Sequence, residues 1–483
     1  MKNRIWLILL LVLCYPAIIF AETIILKSGY TVEGKLIEKT DKYVKIDFQG
    51  VPLTYYIDEI ERIDGVKQGL PLPIAKDQKA SQENKPDSAN IKTAEEYLER
   101  GGVYIDQGNL PQAISDFTKA IEIKPNYAGA YYNRGLAYFI QNNFPQTISD
   151  STKAIEIDPN YVDAYSSRGA AYAVLGNFPQ SISDFTKAIE INPNLAQVYD
   201  NRGVAYKEQG NLPQAISDFT KAIEIDPNYT SAYYNRGVAY FKQGNSPQAI
   251  SDLTKAIEIK PDYADAYCNR GGIYVAQGNS PQAISDLTKA IEIKPDYARA
   301  YFNRGLAYYK QNNLTQAILD LTKAIEIDPN YLEACYNRGV VYAEQANWPK
   351  AISDYTKAIE INPNYLDAYC NRGRIYLNQG NLPQAISDST KVIEIDPNYL
   401  GAYYNRGLAY FDQGNLLQAI SDYTKVIEIN PNFAMAYVDR GLAYCLAKDY
   451  DKAWLDVHKA EELGYTVKPE VIESLKKASG RDK

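Results

Sequence analysis

The feature that most constrains this chain of 483 residues is a proline that recurs every 34 residues. The uninterrupted series consists of Pro125, Pro159, Pro193, Pro227, Pro261, Pro295, Pro329, Pro363, Pro397 and Pro431. A fixed period of this length is typical of repeat proteins, in which each unit packs only against its neighbours. The chain is long enough for two or three ordinary domains, but an array of this kind needs no single large core.

Each unit contains the pattern of two amphipathic helices. In the unit at residues 128–161 the first helix has one apolar face with spacings i, i+4 and i+7, formed by Tyr131, Gly135 and Tyr138. One face of the second helix is marked by Thr147, Ser151 and Ala154. Between the helices of another unit, Gly210 supplies a helix stop, and Pro213 suits the first turn of the next helix. The pattern therefore predicts stacked helical hairpins.

Tyrosine, glycine, tyrosine, alanine, an aromatic residue, alanine and proline follow one another in these units at the spacing of a known repeat. The pattern closely resembles the tetratricopeptide repeat, and the resemblance covers residues 94–464 in eleven units. It implies a mainly α fold, a right-handed superhelix of helix pairs in which the first helices line a concave groove. The last unit departs from the pattern, and a capping helix is expected at residues 467–478, within a C-terminal segment of residues 465–483.

The first 21 residues have the layout of a secretory signal. Lys2 and Arg4 form a basic start, an apolar run follows from Ile5 to Cys14, and a cleavage point follows Ala21. The chain is therefore expected to be exported to the periplasm or cell envelope of a bacterium. Ile19 is large for its place before the cleavage point, so an uncleaved signal that anchors the chain in the membrane is the alternative.

Residues 22–65 alternate apolar and polar residues in short runs, which predicts about five strands. An ordered set within them resembles the first half of the Sm-like motif, namely Leu26, Gly29, Val32, Gly34, Leu36, Asp41, Val44 and Ile46. The resemblance implies a small all-β barrel. The second Sm signature and its RNA contacts are missing from the sequence, which favours an SH3-like adaptor barrel. Residues 66–93 are polar and rich in proline, and they are expected to form a flexible linker.

Composition and motifs argue against several functions. The formal net charge of −8 and the pI near 5.1 do not suit a nucleic-acid partner. The only histidine is His458, so no catalytic residues of the triad type and no histidine metal site are expected. No phosphate-binding glycine motif follows a strand, and no cofactor is expected. The sequence therefore predicts a protein that is not an enzyme.

Positions on the first helices are expected to bind a ligand, because the resemblance implies that they face the groove. A row of amides that can bond to a peptide backbone consists of Asn133, Asn201, Asn235, Asn269, Asn303, Asn337, Asn371 and Asn405. Beside it lies an aromatic row of Tyr132, Tyr234, Phe302, Tyr336 and Tyr404. The alternative for the asparagines is that they bond only to the scaffold. A protein or peptide is the expected partner, and a glycan stacked on the aromatic rings is the second.

An arginine on the first helix recurs with an aspartate sixteen residues later, as in Arg134 with Asp150 and Arg236 with Asp252. In an antiparallel helical hairpin these positions lie opposite each other, so we expect an ion pair within each unit. Such a pair is expected to fix helix against helix, but not unit against unit.

Together these features predict a non-enzymatic interaction scaffold of the cell envelope that holds a protein or peptide in the groove. The alternative is a component of a secretion system that binds or helps export a polysaccharide.

Overall fold

The computed structural model describes residues 93–480 and, before them, five strand segments for which only the backbone is described. The predicted signal at residues 1–21 and nearly all of the predicted linker lie outside the described residues. The strands are β1 Glu22–Leu26, β2 Thr31–Lys39, β3 Tyr43–Phe48, β4 Val51–Tyr56 and β5 Ile60–Asp64.

These strands form an antiparallel sheet in the order β4-β3-β2-β1-β5. Ile24 in β1 lies opposite Val32 on one side and opposite Ile63 on the other, and the register shifts between Leu36 and Glu38 in β2. The barrel expected from the sequence also requires the edge strands β4 and β5 to meet. It stays a prediction.

The rest of the described chain is helical. The first helices of the successive units are α1 Ala94–Asp106, α3 Ala128–Ile140, α5 Val162–Val174, α7 Ala196–Glu208, α9 Thr230–Lys242, α11 Ala264–Ala276, α13 Ala298–Lys310, α15 Leu332–Glu344, α17 Leu366–Asn378, α19 Leu400–Asp412 and α21 Ala434–Leu446. The second helices are α2 Leu110–Ile123, α4 Phe144–Ile157, α6 Phe178–Ile191, α8 Leu212–Ile225, α10 Ser246–Ile259, α12 Ser280–Ile293, α14 Leu314–Ile327, α16 Trp348–Ile361, α18 Leu382–Ile395, α20 Leu416–Ile429 and α22 Tyr450–Glu462. A last helix, α23, spans Pro469–Ser479.

Helix lengths and short links explain the period. A first helix of 13 residues, three linking residues, a second helix of 14 residues and four more linking residues make up one unit of 34. The first link contains a residue with positive φ, which is glycine in most units, for example Gly210 at 80°. A proline in the first turn of the second helix follows it, where the missing N–H breaks no helical bond. Turn chemistry thus fixes where each hairpin bends.

The chain divides into two compact units, residues 1–273 and 274–483, with the boundary inside α11. Within each, the core is a series of small clusters between neighbouring helices rather than one large centre. In the cluster of α7 and α8 a buried Phe219 ring lies against Gly203, where a Cβ atom would come within 2.6 Å of it. At the C-terminal end α23 packs on α21 and α22 and buries Leu475 with Trp454 and Val457. No helix among the described residues is long and apolar enough to cross a membrane.

Candidate functional site

The first helices follow one another closely within each of the two compact units. In the first unit α3 contacts α5 and α7 contacts α9, and in the second α17 contacts α19. We call the surface formed by the first helices of one compact unit its first-helix face. The residues predicted to bind a ligand lie on or beneath this face.

The arginines on the first helices form bidentate ion pairs with buried aspartates. The Arg134 Nε and Nη2 atoms each lie 2.8 Å from one oxygen of Asp150, and Arg236 holds Asp252 at 2.7 and 2.8 Å. Both aspartates are about 5% exposed. The same pairs join Arg100 to Asp116, Arg168 to Asp184, Arg202 to Asp218, Arg304 to Asp320, Arg338 to Asp354, Arg372 to Asp388, Arg406 to Asp422 and Arg440 to Asp456.

The third guanidinium nitrogen bonds to the preceding repeat, in addition to the ion pair predicted from the sequence. Arg236 Nη1 donates to the Thr220 hydroxyl at 3.0 Å, and Thr220 in turn donates to the Ile216 carbonyl at 2.7 Å. Arg134 makes the same bond to Thr118. The expectation that the pair does not fix unit against unit is therefore wrong. Each such arginine holds three helices together, two of its own repeat and the second helix of the repeat before.

These arginines are scaffold residues, and their side chains stay between about 15% and 19% exposed. The hydrogen bonds with Asp150 raise the pKa of Arg134 above its already high ordinary value, so the guanidinium keeps its charge. The Tyr131 ring lies 5.6 Å from the guanidinium carbon and adds a cation–π contact. Shallow depressions beside these pairs are lined by the same residue types in successive repeats, with Tyr165 and Arg168 in one and Tyr199 and Arg202 in the next.

Most of the asparagines predicted to bind a ligand are buried between repeats. Asn269 Nδ2 donates to the Tyr234 hydroxyl at 2.8 Å, and Asn371 makes the same bond to Tyr336 at 2.9 Å. The reason is geometric. A residue on one first helix contacts the residue 35 positions later in the sequence, which lies on the next first helix. The buried members are Asn201, Asn235, Asn269, Asn303 and Asn337.

Two asparagines differ from the others in this row. Asn133 and Asn405 are half-buried, and neither side-chain amide makes a hydrogen bond with another described residue. Their amides are therefore the members of the row that are free to bond to a ligand. The binding role of the row as a whole stays a prediction.

The aromatic row is also largely packed into the scaffold. Tyr132, Phe302 and Tyr336 are each less than 9% exposed, whereas Tyr234 and Tyr404 are half-buried. The Tyr132 ring lies 5.2 Å from the ring of Tyr161, the residue immediately before α5. Burial raises the pKa of Tyr132 and of Tyr404, so both stay protonated at neutral pH. These rings mainly join one repeat to the next.

Some residues of the first helices outside these two rows are more exposed. At the position of Leu136, successive repeats carry Ala170, Val204, Val238, Gly272, Leu306, Val340, Arg374, Leu408 and Leu442, of which Ala170, Val238, Gly272, Leu306 and Val340 are buried. Arg374 is exposed, and Leu408 and Leu442 are half-buried. Met435 and Leu446 on α21 are 44% and 61% exposed. These positions lie outside the two predicted rows, although their variation between otherwise similar repeats is visible in the sequence.

One carboxylate on the first-helix face of the first compact unit is buried without a cationic partner in ion-pair contact. Asp200 is 2% exposed, and it accepts hydrogen bonds from Ser231 at 2.9 Å and from Asn235 at 3.0 Å. Burial raises the pKa of Asp200 to about 6, more than these bonds lower it. Burial also lowers the pKa of the nearby Lys207.

The described residues contain no cluster of side chains suited to a metal ion. His458 stacks on the Trp454 ring at 5.6 Å near the C-terminal end of the array. That contact gives it a packing role.

Comparison with known proteins agrees with the helical hairpins. Models described as TPR repeat and tetratricopeptide repeat match the chain from residue 101 to residue 454. The matched segments are residues 101–142, 128–161, 162–195, 185–217, 205–244, 239–278, 271–312, 298–331, 332–365, 354–387, 373–414, 401–433 and 422–454. No curated protein matches the chain significantly.

Several solved structures are similar over part of the chain. YrrB, described as a TPR protein with an unusual peptide-binding site, is 24% identical over 39% of this chain and 97% of its own, with a TM-score of 0.34. MamA is 32% identical over 33% of this chain and 94% of its own, with a TM-score of 0.32. Yeast Tom70 is 15% identical over 80% of this chain and 95% of its own, with a TM-score of 0.36. Because repeat models match most of its length, the chain belongs to the tetratricopeptide repeat family.

Proposed function

We propose that this chain is a non-enzymatic scaffold that binds an extended peptide or a segment of a partner protein on a first-helix face. Tetratricopeptide repeats typically mediate protein–protein interactions, and stacked repeats offer long surfaces for such binding. YrrB, a related repeat structure, is described as having a peptide-binding site. The proposal concerns the face, because the buried polar residues of the repeats already bond to one another.

The single observation that carries the proposal is where the repeats differ. Buried scaffold residues recur almost unchanged, as shown by the arginine, the aspartate and the glycine beside the second helix. The position of Leu136 varies from one repeat to the next, with an exposed Arg374 between the buried Val340 and the half-buried Leu408. A surface that changes along a regular scaffold can distinguish a partner whose sequence does not repeat.

We further propose that the chain acts in the periplasm or at the cell envelope. The basic start and apolar run of residues 1–21 support export. Fractionation of cells that carry a C-terminal epitope tag tests this part separately. Recovery of the tagged chain only with cytosolic proteins would contradict it.

The glycan alternative has less support than the peptide. Sugar binding would use exposed aromatic rings, but Tyr132, Phe302 and Tyr336 are buried. Only Tyr234 and Tyr404 keep partial exposure in that row. We therefore propose a protein or peptide as the partner.

Selection from a displayed library of random peptides tests the peptide proposal. Peptides of about twelve residues, which span about 40 Å when extended, are long enough to cross several repeats. Leu408→Glu, on the face, is expected to abolish binding of the enriched peptides. Ser421→Glu introduces the same charge at an exposed position of α20 and is expected to leave binding unchanged. Circular dichroism of both variants establishes that they fold.

Absence of any enriched peptide would contradict the proposal. Equal loss of binding in the two variants would also contradict it, because the peptide would then not distinguish the two surfaces.

A further inference from the structure

The repeat of α17 and α18 lacks an aromatic ring that its neighbours have. In most repeats a large side chain of the second helix lies over the glycine of the first helix, and the Tyr355 ring comes within 2.9 Å of a Cβ atom placed on Gly339. The equivalent residues in this repeat are Ser389 and Gly373. Within 4 Å, a Cβ atom on Gly373 would meet only Asp388 and a backbone carbonyl. No large side chain therefore fills the space above this glycine.

The two helices have not moved together to close this space. The Cβ atom of Asp388 lies 3.2 Å from the Cβ position of Gly373. The corresponding distance from Asp354 to Gly339, where the ring is present, is also 3.2 Å. The ion pair of Arg372 with Asp388, at 2.7 and 2.9 Å, holds the helices at this separation. Loss of the ring has therefore left a gap.

The first helix of this repeat lacks a second ring that would lie beside the gap. In the preceding repeat Tyr336 of the first helix lies 5.8 Å from the Tyr355 ring. The equivalent residue here is Cys370, which is half-buried. Two rings are thus replaced by two small side chains. We call the space bounded by Cys370, Gly373 and Ser389 the α17–α18 gap.

The repeat of α3 and α4 shows what closes such a gap. There Ser151 also replaces the ring of the second helix, but the first helix keeps Tyr132. Tyr132 is 2% exposed, and Ser151 is fully buried. In the α17–α18 gap only the short Cys370 lies beside Ser389, which is 6% exposed. The gap therefore opens toward the first-helix face.

The Ser389 hydroxyl points to a ligand in this gap. It takes the place of the ring over Gly373, it is more than nine-tenths buried, and it makes no hydrogen bond with a described residue. A buried hydroxyl without a partner is unfavourable. Beside it, Cys370 packs in one cluster with Tyr369 and Tyr399. The gap thus combines largely apolar walls with one free hydroxyl.

We propose that the α17–α18 gap binds an aromatic side chain of the peptide partner, of the size of phenylalanine or tyrosine. A ring matches the gap because the flanking repeats place the buried Tyr355 and Tyr423 at the position of Ser389. Binding of the ring is favourable because it removes a large apolar area from water. This inference rests on the proposed function and names the side chain that the face selects at this repeat.

Peptide arrays on the full chain test the inference. The probes are capped peptides in which one position at a time is fixed as Phe, Tyr or Ala, and the other positions are mixtures of Ser, Thr, Asn and Ala. The tested proteins are the wild type, Ser389→Phe and Ser387→Phe. Ser389→Phe fills the gap from within, as Phe219 does over Gly203. Ser387→Phe is the matched control, because it adds the same ring at an exposed position of α18.

The wild type is expected to prefer Phe or Tyr over Ala by about 10- to 100-fold, the range expected for burial of an aromatic side chain. Ser389→Phe is expected to lose this preference and to melt about 1 to 3 °C higher, because its ring fills a gap in the fold. Ser387→Phe is expected to keep both the preference and the melting temperature of the wild type.

Three results would overturn the inference alone. They are peptide binding without preference for an aromatic residue, a preference that Ser389→Phe leaves unchanged or that both variants lose equally, and a lower melting temperature of Ser389→Phe, which would show that the ring has no space. Failure of every peptide to bind would overturn the proposed function as well. The melting temperature of Ser389→Phe tests the gap independently of any peptide.

Discussion

The hairpins of this chain have two sets of residues that behave differently from repeat to repeat. The scaffold set, represented by Arg236, Asp252 and Thr220, makes the same bonds in nearly every repeat. The set on the first-helix face, represented by Arg374 and Leu408, differs in size and charge between neighbours. The arginines of the scaffold set lie on the same first helices as the face residues, whereas Asp252 and Thr220 lie on second helices.

The difference shows how a repeated fold can carry a surface that does not repeat. A bidentate ion pair, a threonine and a glycine determine how neighbouring helices pack. The exposed positions of the first-helix face can therefore vary without loss of the fold. Not every position of the first helices is free to vary, since Asp200 and Tyr132 lie on first helices but are buried.

The largest effect is expected from breaking a scaffold ion pair. Asp252→Ala leaves the Arg236 guanidinium partly buried without its carboxylate, which is expected to cost about 3 to 5 kcal/mol. Urea unfolding followed by far-UV circular dichroism measures the loss. Glu258→Ala is the control, because it removes only an exposed pair with Lys255, and it is expected to change stability by about 0.5 kcal/mol or less. Asp252→Ala with wild-type stability would contradict the scaffold role of the pair.

The buried Asp200 on α7 is expected to make the stability of the chain depend on pH. Asp200 takes up its proton at about pH 6 in the folded chain, compared with an ordinary value of 3.8. Between these pH values the folded chain therefore binds more protons than the unfolded chain, so the free energy of unfolding rises as pH falls from about 7 to about 4. A pKa shift of about two units corresponds to a change of about 2 to 3 kcal/mol in that free energy.

Asp200→Asn keeps the shape and the bond from Asn235 but does not titrate. Compared with the wild type, it is expected to lose this part of the pH dependence and to be at least as stable at neutral pH. Urea midpoints measured across the pH range check the difference. Parallel curves for the two proteins would show that Asp200 is not buried as described.

A smaller effect is expected from the glycines that lie under the second helix. Gly203→Ala places a Cβ atom 2.6 Å from Phe219, and such overpacking is expected to cost about 2 kcal/mol. Gly373→Ala is the matched variant, because its nearest neighbour is Asp388 Cβ at 3.2 Å and no ring lies above it. It is expected to stay within about 1 kcal/mol of the wild type, since alanine favours a helix. Equal thermal destabilisation in the two variants would contradict the packing that distinguishes them.

The smallest effect is expected from the bond between repeats. Thr220→Val removes the acceptor of Arg236 Nη1 and is expected to cost about 1 kcal/mol, with faster amide exchange in α8 and α9. Ser217→Ala, at an exposed position of α8, is the control and is expected to change neither quantity. Unchanged exchange in Thr220→Val would show that the bond does not couple the repeats.

The helical hairpins and the partners of the arginines were accessible from the sequence, because a 34-residue period and a spacing of sixteen residues are both visible in it. The bond from Arg236 to Thr220 has the same spacing of sixteen in the opposite direction, so the sequence contained that signal as well. The burial of Tyr132 and Asn269 was not accessible. It depends on contacts between successive first helices, which a pattern within one repeat does not describe.

The most direct test of the central claim is photo-crosslinking of a labelled random peptide pool to the full chain. A benzophenone side chain replaces Leu408 on the first-helix face in one protein and Ser421 on α20 in the other. We predict crosslinked peptide at position 408 and little at position 421. Equal crosslinking at the two positions, or more at position 421, would contradict the claim that the variable first-helix face is the binding surface.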